Sequence, residues 1–88
     1  MIRVREVEEG VFEVQVKERG GSSNHRVTVA PDYLVRIAGE GADGARVVEK
    51  SFEFLLAREP KESILRSFDL KVIQRYFPEY ESAIGRLL

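Results

Sequence analysis

The chain has 88 residues, of which 14 are basic and 15 are acidic, and its formal net charge is −1 at pH 7. This length supports one hydrophobic core, so we expect residues 1–88 to form a single domain. The balanced charge lacks the positive excess that is typical of proteins that bind nucleic acid along its phosphate backbone. Because the chain contains no cysteine, disulfides and thiolate chemistry are excluded.

The composition is typical of a cytoplasmic globular protein. Hydrophobic residues make up 43% of the chain and charged residues 33%, a balance unlike that of disordered or membrane-embedded proteins. No apolar run approaches the roughly 18 residues that a transmembrane helix needs, and the first six residues lack the apolar segment of a secretory signal. We therefore expect a cytoplasmic protein that does not bind a membrane.

Three β-strands are predicted in the first third of the chain. Within residues 11–18, Phe12, Val14 and Val16 alternate with polar side chains at positions 13, 15 and 17, which is the pattern of a strand with one buried face. Residues 2–7 are predicted as the strand before it and residues 25–30 as the strand after it, with a glycine- and serine-rich loop at 19–24. Together they predict an antiparallel meander with one face in solvent.

Residues 30–44 predict a short helix followed by a flexible link. Pro31 suits the first turn of a helix because its missing N–H group would have no partner there. Gly39 is placed to end this helix, and the segment from Gly39 to Gly44 is predicted to be flexible. Asp43 is expected to cap the N-terminus of the next helix.

The second half of the chain predicts a helical block. At about 100° per residue, the apolar residues of 45–58 span an arc of roughly 200°, so we expect this helix to be covered from two sides. A short helix carrying Ile64 and Leu65 is expected after Pro60, and the apolar residues of 70–88 form a stripe roughly 120° wide. Pro78 must kink or divide that last segment because it lacks a backbone donor. The unbroken stripe favours a kink.

The segment from Gly39 to Gly44 matches G-x-G-x-x-G, the glycine pattern of dinucleotide-binding folds. That function requires a β-strand before the glycines and several parallel strands in the fold. A helix is predicted before these glycines, and the chain is too short for such a sheet. We therefore interpret the segment as a link between helices, and we expect no cofactor.

His25 is the only histidine and the one candidate general base. The segment 20–29 is similar to the Gly-Ser-His hairpin of small toxin ribonucleases with a double-stranded-RNA-binding-like fold, although Ser23 and Asn24 are interposed before His25. The similarity implies an alternative function, RNA binding or cleavage, with His25 and Arg26 acting from the 19–26 hairpin. The other interpretation is a solvated histidine at the start of a strand.

The remaining candidate binding residues lie in the predicted helices. Tyr76 and Tyr80 belong to an aromatic stripe that suits either a partner-binding ridge or a core. Arg58 and Arg75 accompany pairs of carboxylates, which we interpret as solvated ion pairs rather than as an acid–base pair. With one histidine and no cysteine, neither a metal site nor a catalytic residue is predicted.

The second half also contains the stretches SFEFLL (51–56), REPKESIL (58–65), FDL (68–70) and RYFPEY (75–80). These stretches resemble a family of small uncharacterised prokaryotic proteins in which a β-hairpin or meander precedes the helical block. The resemblance implies a bacterial or archaeal cytosolic protein, and it implies no catalytic activity.

Together these patterns predict an α+β domain in which a short helix and a helical block pack on one face of a three-stranded antiparallel meander. The predicted helices carry more apolar surface than one small sheet needs, and no motif points to chemistry. We therefore expect a non-enzymatic protein-interaction or adaptor module that binds another protein or, as a homodimer, itself. RNA binding or cleavage is the alternative.

Overall fold

The predicted meander forms the first three strands of the sheet. In the computed structural model, which describes residues 1–88, strands β1 (Ile2–Glu8), β2 (Val11–Glu18) and β3 (Gly21–Thr28) pair antiparallel in chain order. Gly10 turns the chain between β1 and β2 with a φ of 75°. A Cβ atom there would lie 2.9 Å from the carbonyl oxygen of Val29, so this turn requires glycine.

The third strand is longer at its start than the sequence predicts. β3 begins at Gly21 rather than near residue 25, and the predicted loop shrinks to a turn at Arg19 and Gly20. Glycine and serine favour a loop locally, but pairing with β2 satisfies their backbone groups and overrides that preference. The strand ends at Thr28, before the predicted end at residue 30.

The sequence does not predict the fourth strand, β4 (Ser67–Asp69). It pairs parallel to β3 and completes a sheet with the order β1-β2-β3-β4. Three residues are too few to show a two-residue period, so only its pairing with β3 identifies this segment as a strand.

The first two helices begin at residues that suit helix starts. Helix α1 (Pro31–Ala38) has proline at its first position and ends at Gly39, whose φ is 92°. Helix α2 (Gly44–Leu56) is capped by Asp43, whose carboxylate accepts a hydrogen bond from the N–H of Ala45 at 3.0 Å. The glycine pattern thus follows a helix, as predicted, and not the strand that a dinucleotide site requires.

Pro78 divides the last helical segment instead of kinking it. A 3₁₀ turn (Lys61–Ser63) follows Pro60, and helices α3 (Val72–Tyr76) and α4 (Tyr80–Leu87) come after β4. The apolar stripe continues across the break, but a proline between the helices leaves no backbone donor to continue the first of them. None of the helices combines the length and the apolar character that crossing a membrane requires.

The core lies between the helices and the inner face of the sheet. One cluster holds 16 buried apolar residues: Phe12, Val14, Val16, Val27, Val29, Tyr33, Val47, Val48, Phe52, Phe54, Leu55, Ile64, Leu70, Ile73, Tyr80 and Ile84. Helix α2 contacts β1 and α4, which confirms that it is covered from two sides. At Gly44 a Cβ atom would come within 2.7 Å of the Phe12 ring, so the helix start packs directly on the sheet. The α+β prediction is confirmed.

Candidate functional site

An apolar groove lies beside β4. It has a volume of about 300 Å³, and eight of its ten lining residues are hydrophobic: Leu55, Glu59, Ser63, Ile64, Leu65, Phe68, Val72, Ile73, Tyr76 and Phe77. Leu65 is 47% exposed and Tyr76 is 67% exposed. Single exposed apolar residues are common on proteins, whereas exposed apolar residues in a concave site are typical of binding surfaces.

β4 is an edge strand with free backbone groups beside this groove. The N–H of Leu70 donates to the carbonyl oxygen of Thr28 at 2.8 Å. Because the backbone groups of a strand point alternately to its two sides, those of Phe68 also face β3, and those of Ser67 and Asp69 point to the open side. No strand pairs with that side. Unpaired donors and acceptors therefore lie on both sides of Phe68, the β4 residue that lines the apolar groove.

His25 holds the segment before β4 in place. Its Nδ1 lies 2.8 Å from the carbonyl oxygen of Leu65, and its Nε2 lies 2.8 Å from the hydroxyl of Ser23. Since a carbonyl only accepts, Nδ1 donates to Leu65 and Nε2 accepts from Ser23 when the ring is neutral. The ring is 4% exposed and packs 5.3 Å from the ring of Phe52. His25 thus fixes the backbone from which Leu65 reaches the groove.

Lys61 provides a second attachment of this segment to the meander. Its Nζ lies 2.7 Å from Glu62 and 3.5 Å from Glu18 at the end of β2. The hydrogen bond with Glu62 raises the pKa of Lys61 above its usual value. The ammonium group is therefore charged at neutral pH and holds the 3₁₀ turn against the sheet.

The opposite edge of the sheet, β1, is protected against pairing. Its register shifts between Glu6 and Glu8, and Glu6 lies on the inner face of the sheet, opposite Phe12. On the outer face, Arg3 and Arg5 would lie opposite arginines of a second β1 strand in an antiparallel pair. An irregular register, an inward carboxylate and like charges all disfavour pairing at an edge. β4 is the more open edge.

The structure separates the aromatic and arginine residues that the sequence offers as candidates. Tyr76 lines the groove, whereas Tyr80 is fully buried and its hydroxyl lies 2.6 Å from that of Ser51. Burial raises the pKa of Tyr80 well above its usual value. Arg58 lies over the ring of Phe54, with 3.6 Å from its guanidinium carbon to the ring centroid. Tyr80 and Arg58 therefore have structural contacts, and Tyr76 is free for a partner.

The other candidates lie apart from the groove's lining. Arg75 is exposed on α3, and Arg26 is exposed on the outer face of the sheet, 3.6 Å from the carboxylate of Glu13. His25 is buried rather than solvated, because it shares the inward parity of Val27 on the lengthened strand. The 19–26 hairpin thus presents Arg26 to solvent but not His25.

Tyr76 is the one groove residue that the sequence offers as a candidate, and Phe68 and Leu65 show why the others are missed. Phe68 lines the groove from β4, a strand without a sequence pattern of its own. Leu65 was assigned to a short helix, yet its neighbour Ile64 is 5% exposed while Leu65 points outward. The adjacent apolar pair was a usable signal, since neighbouring residues in an extended chain face opposite sides.

Comparisons with known proteins return no match to the chain among protein-family models, curated proteins or solved structures. No group of three His, Asp or Glu side chains is placed to hold a metal ion. The groove and the free β4 edge are therefore the features from which we infer a function.

Proposed function

We propose that this protein is a non-enzymatic interaction or adaptor module that binds an extended segment of another protein along β4. The observation that carries the proposal is the unpaired side of Ser67 and Asp69, which flank Phe68, a residue of the apolar groove. An extended peptide that joins a sheet edge gains main-chain hydrogen bonds, and alternate side chains enter adjacent pockets. The groove supplies such a pocket for apolar side chains.

The partner is a different protein rather than a second copy. A second copy offers two sheet edges, and β1 is disfavoured by Arg3, Arg5 and its irregular register. A β4–β4 pair would span only three residues on each chain, which is too short to hold a dimer by main-chain bonds alone. An extended peptide meets the same three residues of β4, but its apolar side chains also enter the groove, so main-chain bonds alone do not have to hold it.

The setting that fits this proposal is the cytoplasm of a bacterium or archaeon. A chain without cysteine suits a reducing compartment, and the family that the second half resembles is prokaryotic and cytosolic.

The test begins with selection of binding peptides from a random peptide library on the immobilised protein. We expect the selected peptides to share apolar residues at alternate positions. Leu65→Ser and Tyr76→Ser should each weaken binding about tenfold. Leu87→Ser is the matched control, because Leu87 is also exposed, at 39%, but does not line the groove. Equal losses in all three variants would contradict the proposal.

Hydrogen exchange locates the bound peptide. We expect the amides of Ser67 and Asp69 to become protected when the peptide binds, whereas the amide of Phe68 faces β3 in either state. Ser67→Pro removes the outward N–H without removing a bond inside the sheet, and it should weaken binding. Dimerisation through β4, seen by sedimentation and abolished by Ser67→Pro, would instead identify a second copy as the partner.

RNA binding or cleavage from the 19–26 hairpin is the second candidate, and the exposed Arg26 favours it. Cleavage requires His25 to leave its buried site, because both of its ring nitrogens are hydrogen-bonded. Unchanged RNA binding and cleavage in a His25→Ala variant would remove this candidate.

A further inference from the structure

The outer face of the sheet contains a concavity that the proposed function does not use. It has a volume of about 630 Å³ and nine lining residues, of which Val14 and His25 are buried with core-facing side chains and the other seven are polar: Arg3, Arg5, Glu13, Gln15, Asn24, Arg26 and Arg66. Small-molecule sites commonly have volumes of roughly 300–1,000 Å³. The walls here are almost entirely polar, which indicates a hydrophilic ligand.

Strand register brings these side chains together in two rows. Arg3, Gln15 and Asn24 are cross-strand neighbours in one row, and Arg5, Glu13 and Arg26 are neighbours in the next. Adjacent strands are roughly 4.8 Å apart, and residues two apart on one strand are separated by about 7 Å. Long arginine side chains from both rows can therefore reach a single ligand.

The concavity is positively charged although the whole chain is not. Four arginines and one glutamate give its lining a formal charge of +3 (4 − 1), compared with −1 for the protein. Glu13 is shared by Arg5 at 3.0 Å and Arg26 at 3.6 Å. Arg3 and Arg66 have no ion pair within the chain. Two guanidinium groups are thus available for an anion.

Two amide side chains are available beside the arginines. Neither Gln15 nor Asn24 has a side-chain hydrogen bond within the protein, and Gln15 is half-buried between its strand neighbours. Each amide carries two donors and one acceptor oxygen. Planar guanidinium groups bind phosphate through paired hydrogen bonds, and amides suit hydroxyl groups.

We propose that this concavity binds a small phosphorylated ligand without an aromatic base, such as a phosphorylated sugar or a short polyphosphate. No phenylalanine, tyrosine or tryptophan lines the site, so it lacks the aromatic platform on which single-strand-binding proteins stack bases. A net negative protein also lacks the long-range attraction that draws proteins to nucleic acid. A compact ligand that meets only the local charge of the concavity fits both observations.

Calorimetric titration tests the proposal with three probes: tripolyphosphate, fructose 1,6-bisphosphate and a short RNA duplex. We expect saturable one-to-one binding of at least one small phosphate compound. Arg3→Ala and Arg66→Ala should each weaken it about tenfold, since each removes charge-assisted hydrogen bonds. Glu13→Gln should strengthen it several-fold, because it frees Arg5 and Arg26. Arg3 and Arg66 are exposed and form no side-chain hydrogen bonds, so replacing them leaves the fold intact.

Arg86→Ala is the matched control because it removes the same charge from α4, away from the concavity. Equal weakening by Arg86→Ala would show a general charge effect and overturn the site. Binding of the RNA duplex but of neither small phosphate compound would replace the proposed ligand with a nucleic-acid backbone. If none of the three probes binds at low salt, the proposal of a phosphate-binding site is also overturned. These variants leave the β4 groove unchanged, so failure here is distinguishable from failure of peptide binding.

Discussion

The two faces of the sheet are made by the same strands but have opposite properties. On β2, Phe12, Val14 and Val16 are at most 2% exposed and face the helices, while Glu13 and Lys17 are exposed on the other side. Because successive side chains of a strand point to opposite faces, one stretch of chain can supply stability and a binding surface separately. Substitutions on the inner face should affect folding, and those on the outer face should affect ligands.

The core between the sheet and the helices is not purely apolar, but its buried polar side chains all have partners. His25 is bonded to Leu65 and Ser23, and the Ser51 hydroxyl donates to the carbonyl oxygen of Val47 at 2.7 Å. No buried side-chain nitrogen or oxygen lacks a hydrogen bond. Such groups add little net stability when they are paired, but they are costly to leave unpaired.

Phe52→Ala should have the largest effect on stability. Phe52 is 0% exposed, and its ring packs against His25 and Phe68. Removing a buried aromatic ring costs about 3–5 kcal/mol because contacts are lost and a cavity remains. Urea unfolding followed by circular dichroism measures this loss. A loss below about 1 kcal/mol, as expected for a surface substitution, would contradict the burial of Phe52 between α2 and the inner face of the sheet.

His25→Phe should be the next most harmful change. The ring is replaced by one of similar size, but the carbonyl oxygen of Leu65 and the hydroxyl of Ser23 lose their partner. Leaving a buried polar group unpaired costs about 1–3 kcal/mol. His25→Asn serves as the control, since its amide N–H can still reach a carbonyl from the same position. The prediction is wrong if the asparagine variant is the less stable of the two.

Tyr80→Phe should cost about 1 kcal/mol at neutral pH, because it removes one hydrogen bond while Ser51 keeps its bond to Val47. The pH dependence sharpens this test. Burial raises the pKa of Tyr80 in the folded protein, whereas the unfolded chain loses that proton near pH 10. Above about pH 10 the folded state therefore binds more protons, and the unfolding free energy falls as pH rises.

The free energy of unfolding should therefore fall less steeply above about pH 10 in the Tyr80→Phe variant than in the parent protein. Some decline remains, because burial and the hydrogen bond to Glu81 also raise the pKa of Tyr33. Urea titrations on both sides of that pH give the two slopes. Identical slopes would show that Tyr80 does not titrate as its burial implies.

Arg5→Gln should have the smallest effect on stability. It breaks the ion pair with Glu13 on the outer face, where the side chains of Arg5 and Glu13 are 75% and 47% exposed. Exposed ion pairs contribute about 0.2–1 kcal/mol, so we expect a change within about 0.5 kcal/mol. A loss as large as that of His25→Phe would remove the distinction between the two faces.

The sequence was sufficient for features that depend on local pattern. Alternation predicted the inner face of β2, the wide apolar arc predicted the burial of α2, and Asp43 was identified as its cap. The same reasoning failed for β4, because a three-residue strand acquires its structure only from β3. The groove depends on β4, so sequence identified Tyr76 as a candidate but not the surface to which it belongs.

The parallel pairing of β4 with β3 also orders the events of folding. The first three strands meet across short turns, whereas the bond between His25 and Leu65 joins residues 40 positions apart. Closing so long a loop has a larger entropic cost than closing a hairpin, so we expect the meander to form before β4 docks. A partner that recognises the β4 groove therefore binds only chains that have finished folding.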